Sequence, residues 1–133
     1  MPTKEIFVDG ACSGNPGPMR IAVFSNNPKI KAVMPTLSVD GTSNIGTNNI
    51  AEYHALIYAL AIAQHIEDDI IIKSDSKLVV EQVNGNWKVK DPKLIPLRKD
   101  ARVLIDMRKQ LFNVSTTLVF IHREHNLAGH LLE

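Results

Sequence analysis

Three carboxylates stand out because of where they sit. Asp9 closes the run Ile6-Phe7-Val8. Asp75 follows the run Ile70-Ile71-Ile72. Glu52 lies in the first turn of an apolar, alanine-rich stretch. An ionised carboxylate beside a core is costly unless it is paired or bound to a cation. Ligands of open α/β sheets collect at the carboxyl ends of strands. If the strands that carry Asp9 and Asp75 are adjacent and parallel, the two side chains emerge together. Glu52 reaches the same point from a helix lying over that edge. Three hard oxygen ligands converging there suit Mg²⁺ or Mn²⁺. Each acid also has a local explanation. Asp75 before Ser76 suits a helix cap, Asp9 before Gly10 suits a turn, and Glu52 suits a helix dipole.

The elements that must position these acids follow from pattern. Lys4 to Asp9 reads as a strand, and Gly10 to Pro18, with two glycines after Gly10 and two prolines, as a loop. Met19 to Ser25 and Lys29 to Val39 read as further strands, with Pro35 marking an edge or an early end. Short turns join the three into an antiparallel meander. Asp40 to Asn48 is a polar loop, and Asn49 to His65 the best helix. It is capped by Asn48 or Asn49, and Ala51, Ala55, Leu56, Ala59, Leu60 and Ala63 recur at helical spacing. Asp69 to Lys73 reads as a buried central strand. Helices over Ser74 to Asn84 and Leu97 to Asn113, a strand over Thr116 to His122 and a helix over Asn126 to Glu133 complete the order βββαβααβα. Helices between strands imply parallel pairing with right-handed crossovers, hence a mixed sheet flanked by helices.

The chain has 133 residues and a net charge of +1, from 15 Lys and Arg against 14 Asp and Glu. Its length fits one domain over 1–133. The single cysteine, Cys12, excludes an internal disulfide and a cysteine-rich zinc site. The N-terminus Met1-Pro2-Thr3-Lys4-Glu5 has no apolar signal core, and Ala55 to Ala63 is too short to span a membrane, so a cytoplasmic protein is expected. Near-neutral charge argues against a nucleic-acid protein only until it is divided. Residues 86–110 hold eight cations and three acids, a local +5 that leaves −4 elsewhere. The neutral total therefore hides a basic region beside an acidic site, with a modest, salt-sensitive grip on phosphates.

The segments Val8-Asp9-Gly10-Ala11-Cys12-Ser13-Gly14-Asn15-Pro16-Gly17-Pro18, Thr47-Asn48-Asn49-Ile50-Ala51-Glu52, Ser74-Asp75-Ser76-Lys77 and Arg123-Glu124-His125-Asn126 together resemble ribonuclease HI. The likeness runs along nearly the whole chain. It is greatest to the compact branch without the basic protrusion, because one short segment links Trp87 to the helix at Leu97. The resemblance implies a ribonuclease H-like α/β fold with five strands in the order 3-2-1-4-5. It also implies a monomer that hydrolyses the RNA strand of RNA–DNA hybrids, leaving 5′-phosphate and 3′-hydroxyl ends. Asp9, Glu52 and Asp75 match three of four metal-binding carboxylates that hold two ions. One ion activates water and the other stabilises the leaving oxygen.

The chain departs from the family at the fourth acid. The pattern Asn-x-x-x-Asp becomes Asn126-Leu127-Ala128-Gly129-His130, so His130 stands in the acid's place. Imidazole suits Mn²⁺ better than Mg²⁺. His130 is therefore expected to touch the second metal, with a solvated His130 and a three-acid site as the alternative. Glu124 and Glu133 are further candidates for the missing charge.

The resemblance also assigns hybrid contacts. Asn48 and Asn49, with backbone groups near Cys12 to Asn15, read the minor groove, where RNA offers 2′-hydroxyls, and Gly10, Ser13 and Asn15 are among the substrate contacts. Thr47 seats a DNA phosphate, and Ser76 and Lys77 contact the hybrid at a helix start. Trp87 and Lys88 line the DNA strand's path, although a lone tryptophan also suits a core anchor. His122 and His125 are candidates for a proton-transfer role, whereas His54 and His65 read as surface residues. Two other classes compete with the nuclease: a hybrid-binding domain disarmed by the missing acid, and another nuclease on this fold. The Asn pair after Thr47 favours hybrid recognition over the second.

Overall fold

The computed structural model describes residues 3–38 and 40–133. Met1, Pro2 and Val39 lie outside the described residues, including the expected end of the third strand at Val39. The strands are β1 (Lys4–Cys12), β2 (Gly17–Asn26), β3 (Lys29–Pro35), a two-residue β4 (Ile45–Gly46), β5 (Ile70–Ser74) and β6 (Thr116–Phe120). The helices are α1 (Asn48–Ala63), α2 (Lys77–Val83), α3 (Ile95–Phe112) and α4 (Gly129–Leu132), with a 3₁₀ turn over Arg123–His125. The strand order is β3-β2-β1-β5-β6, and β4 pairs only with the start of β2. Counting the five longer strands along the chain, this is 3-2-1-4-5. β1 is antiparallel to β2 and parallel to β5, and β5 is parallel to β6.

Alternation assigns the two faces. Ile6 and Val8 of β1, Ile21 and Val23 of β2, and Ile70 and Ile72 of β5 are buried under α1 and its neighbours. All six helix-spaced residues of α1, from Ala51 to Ala63, are buried with them, together with Tyr53. Gly10 brings α1 onto the sheet. A Cβ at that position would lie 2.2 Å from the Ala51 carbonyl oxygen, so any other residue would push the helix away.

Several boundaries differ from expectation. Gly10 to Cys12 continue β1 rather than forming a loop, because they pair with Met19, Arg20 and Ile21. Asp9 is thus within a strand, not at its end. Thr47, not Asn48 or Asn49, caps α1, its side-chain oxygen accepting from the Ile50 N–H at 3.3 Å. Ser76 rather than Asp75 caps α2, accepting from Val79 N–H at 3.3 Å. That leaves Asp75 free of the capping role its position permits. α3 starts ahead of Pro96, which sits in the first turn where its missing N–H costs nothing. It ends at Asn113 in the left-handed conformation, with φ of 54°.

Arg108 belongs by sequence to the basic segment, yet it is completely buried. Its guanidinium donates to the carbonyls of Ala63, Ile66 and Asp68 and to the Thr116 hydroxyl. It thereby closes the C-terminal end of α1 against α3 and β6. Arg98 and Arg102 similarly donate to the carbonyls of Gln82 and Val83 at the end of α2. The basic surface of residues 86–110 is therefore chiefly its exposed lysines, Lys88, Lys90, Lys93, Lys99 and Lys109.

Candidate metal centre

Parallel pairing of Val8 with Ser74 carries Asp9 and Asp75 to neighbouring positions, and α1 brings Glu52 to them from the opposite layer. One oxygen from each carboxylate lies within 4.8 Å of the others. The Gly10 N–H donates to Glu52 Oε1 at 2.5 Å and fixes that side chain. Asp9 is 1% exposed. Asp9 Oδ2 and Asp75 Oδ2 are buried and accept no hydrogen bond. Arg123 Nη1 approaches Asp75 Oδ2 only to 4.0 Å, from a side chain that is 73% exposed.

Burial, and secondarily the charge of Asp75, pushes the Asp9 carboxyl up to about 6. Burial, then the charges of Asp9 and Asp75, raises Glu52 well above the usual carboxylate range. Three acids so close either retain protons or take up a counter-charge. The donor set is all carboxylate oxygen, and two of its oxygens lack any partner. It fits a hard divalent cation.

These shifts have a sign. Asp9 titrates near 3.8 when unfolded and about 6 when folded. The folded state binds more protons in that window, so Asp9 favours folding below about pH 4 and the benefit is lost as pH rises through about 6. Chelator-treated protein is expected to lose up to about 3 kcal/mol of stability across the window relative to Asp9→Asn. Denaturant titrations at several pH values check this. Parallel profiles for the two proteins would contradict it.

The other expected site residues fall into three groups. Asn48 Oδ1 accepts from the Cys12 N–H at 3.2 Å, and Asn15 Oδ1 accepts from the Asn48 N–H at 3.1 Å. This network ties the 12–16 loop to the start of α1. Ser13, Asn15, Asn48 and Asn49 are exposed beside it, and Thr47 is half-buried. Lys77 is exposed at the start of α2, and Ser76 is buried in its cap. Trp87 and Lys88 stand apart, in a cleft of about 740 Å³ shared with Ile95, Arg98 and Lys99. Trp87 is 44% exposed, so the core-anchor explanation does not hold.

His130 is exposed on α4, and the three-acid cluster does not include it. Its neighbour Gly129 is the close contact. A Cβ there would lie 3.2 Å from Asp9 Oδ2. Gly129, which the sequence reading did not single out, thus keeps the space over Asp9 open. Asn126 is fully buried and donates to the Val8 carbonyl at 2.9 Å, docking this terminal segment on β1. His122 and His125 are exposed. His54 is half-buried rather than a surface residue, and burial lowers its pKa.

The RNase H family profile matches residues 2–126. The chain belongs to the RNase H family. Among curated relatives of this RNase H chain, ribonuclease HI of Halobacterium salinarum is 42% identical over 104 residues. That match covers 74% of the chain but about half, 49%, of the relative. A bifunctional protein of Mycobacterium tuberculosis is 37% identical over 109 residues, with 80% of the chain covering 29% of it. The crystal structure of Halobacterium salinarum RNase H1 superposes with a TM-score of 0.79 at 30% identity, over 98% of this chain and 94% of that one. The structure of LC11-RNase H1 in complex with an RNA/DNA hybrid gives 0.72 at 27% identity, over 98% and 93%.

Proposed function

We propose that this RNase H domain, spanning residues 1–133, is a metal-dependent endoribonuclease that hydrolyses the RNA strand of RNA–DNA hybrids. It leaves 5′-phosphate and 3′-hydroxyl ends. The observation that carries this reading is the buried cluster of Asp9, Glu52 and Asp75, with two oxygens lacking any hydrogen bond. The hybrid seated on the similar LC11-RNase H1 supports the substrate class. The eleven-residue link from Asn84 to Leu94, which contains no helix, supports placement in the compact branch. Work as a monomer in the cytoplasm belongs to the same reading. Among the described residues no helix is long and apolar enough to cross a membrane.

Asp9, Glu52 and Asp75 would hold two Mg²⁺ or Mn²⁺ ions, with His130 as a further ligand to the second. When bound, divalent ions would activate an attacking water and stabilise charge at the leaving oxygen. The protein's own groups prepare the site. The Gly10 N–H orients Glu52, and Gly129 leaves room over Asp9. The exposed Asn48 and Asn49 amides, with Ser13 and Asn15, offer donors and acceptors to 2′-hydroxyls. Thr47, Ser76 and Lys77 flank them for phosphates, and Trp87 with Lys88 takes the DNA sugars.

Cleavage of labelled hybrid, duplex DNA and duplex RNA separates this reading from another nuclease on the same fold. Only the hybrid is expected to be cut, and equal cutting of duplex DNA would overturn the assignment. A second reading, a hybrid-binding domain with impaired catalysis, is favoured by one observation: histidine stands where the family has its fourth acid. His130→Asp is expected to raise Mg²⁺-supported turnover about tenfold and Mn²⁺-supported turnover less. Turnover unchanged with both metals would remove His130 from the site. Trp87→Ala is expected to raise KM for the hybrid about fivefold or more with little change in kcat, the loss of one stacking platform. A loss confined to kcat would place Trp87 elsewhere.

A further inference from the structure

Among the described residues the second face of the sheet is covered only in part, at Asp9 and Ala22, which are buried. The pairing register puts Glu5, Phe7 and Asp9 of β1 on one face with Arg20, Ala22 and Phe24 of β2. Lys31 and Val33 of β3, Ile71 and Lys73 of β5, and Thr117 and Val119 of β6 share it. Among the described residues, α1 packs on the opposite face, and α4 meets this one near Asp9 through Gly129. Phe7 and Phe24 are direct cross-strand partners, half-buried, with ring centroids 6.5 Å apart. Lys73 Nζ lies 5.3 Å from the Phe7 ring centroid and is paired at 3.0 Å with Glu5, the acid on this part of the face. Lys31, the β3 partner of Phe24, and Lys29, the partner of Asn26, are exposed beside the aromatic pair. Beside Phe7 a hollow of about 200 Å³ is lined by Thr3, Lys4, Glu5, Asn26 and Asn27.

Adjacent aromatics on a sheet, ringed by cations, form the arrangement on which unpaired bases stack while lysines follow the phosphates. The amides of Asn26 and Asn27 at the hollow both donate and accept, as base edges require. The face is also continuous with the metal centre, since Phe7 and Asp9 are two residues apart on one strand, roughly 7 Å. We propose that this sheet face binds an unpaired single strand of nucleic acid, with Phe7 and Phe24 as stacking platform and Lys29, Lys31 and Lys73 on its phosphates. The natural source of such a strand is an overhang of the hybrid, and in that one respect the inference rests on the ribonuclease reading.

The test uses the whole chain with a labelled oligothymidylate of about 12 nucleotides, a length within the range such platforms cover. Binding is followed by anisotropy and by amide NMR shifts. Shifts are expected at Phe7, Phe24, Ile71 and Val119. The double variant Lys29→Glu, Lys31→Glu is expected to bind about fivefold more weakly or worse. It should cut a blunt hybrid at the unsubstituted rate. Phe24→Leu, which retains bulk, is expected to weaken binding without the charge change. Shifts confined to Asn48, Trp87 and Lys88 would place the strand in the hybrid path and overturn the proposal. Undiminished binding by the double variant would also overturn it. So would a face that responds to an acidic helical peptide and not to the oligonucleotide. Hybrid cleavage is read separately in the same preparations, so a failure of the ribonuclease reading would show there and leave the binding result to decide this one.

Discussion

Asp9→Asn is expected to reduce hybrid cleavage by roughly 10³-fold or more while leaving the fold intact. The substitution is nearly isosteric but removes the charge at the centre of the cluster. Asp9 lies on β1 beside Asp75, with Glu52 across from both, and its Oδ2 is a buried oxygen without a hydrogen bond. An amide there presents one neutral ligand where a carboxylate stood, and leaves a divalent cation two acids, Glu52 and Asp75, in place of three. Because burial and neighbouring charge already raise Asp9 to about 6, the metal-free variant should be more stable at neutral pH than the parent, not less. Lost activity with gained stability is a pairing that a merely structural role would not produce. Initial rates on labelled hybrid, with thermal unfolding of the same sample, check both halves. Retained turnover would refute the metal assignment.

Arg108→Met should cost about 3–5 kcal/mol of stability, the largest effect expected away from the metal centre. The guanidinium serves three carbonyls and one hydroxyl from a fully buried position. Methionine fills most of the space and satisfies none of these acceptors. The carbonyls of Ala63 and Ile66 lie at the end of α1, so the loss falls on the helix that carries Glu52 at its other end. Thermal unfolding of the variant is expected about 10–20 °C below the parent. Arg108→Lys should recover only part of this, because one ammonium cannot span the acceptors that the planar fork reaches. A shift of a degree or two in Arg108→Met would mean that solvent reaches these carbonyls and that the arginine is dispensable.

The parts legible in the sequence are those set by pattern and chain order. Asp9, Glu52 and Asp75 could be brought together on paper because each borders an apolar run and the strand order follows from short turns and helical crossovers. The six helix-spaced residues of α1 are all in the core for the same reason. What escaped is decided by partners distant in the chain. Gly10 to Cys12 have loop composition, yet pairing with Met19 to Ile21 extends the strand through them. Arg108 sits among charged residues on a long helix and has the local signature of a surface cation, but carbonyls from a segment some forty residues earlier require it inside. Gly129 has no signal of its own, because what it avoids is an oxygen of Asp9 at the other end of the chain. The less covered sheet face was equally hidden, since alternation in β1 shows that two faces exist and not which one a helix will cover.

On the proposed function, the three acids make a metal-dependent site for cutting RNA paired to DNA. The most direct measurement is a chelator-treated sample given a hybrid labelled on each strand, with Mg²⁺ or Mn²⁺ then restored. The RNA strand should be cut only after metal is added, to fragments with 5′-phosphate and 3′-hydroxyl ends, with the DNA strand intact. Tight binding of the hybrid with no RNA cleavage under either metal would contradict the proposed function.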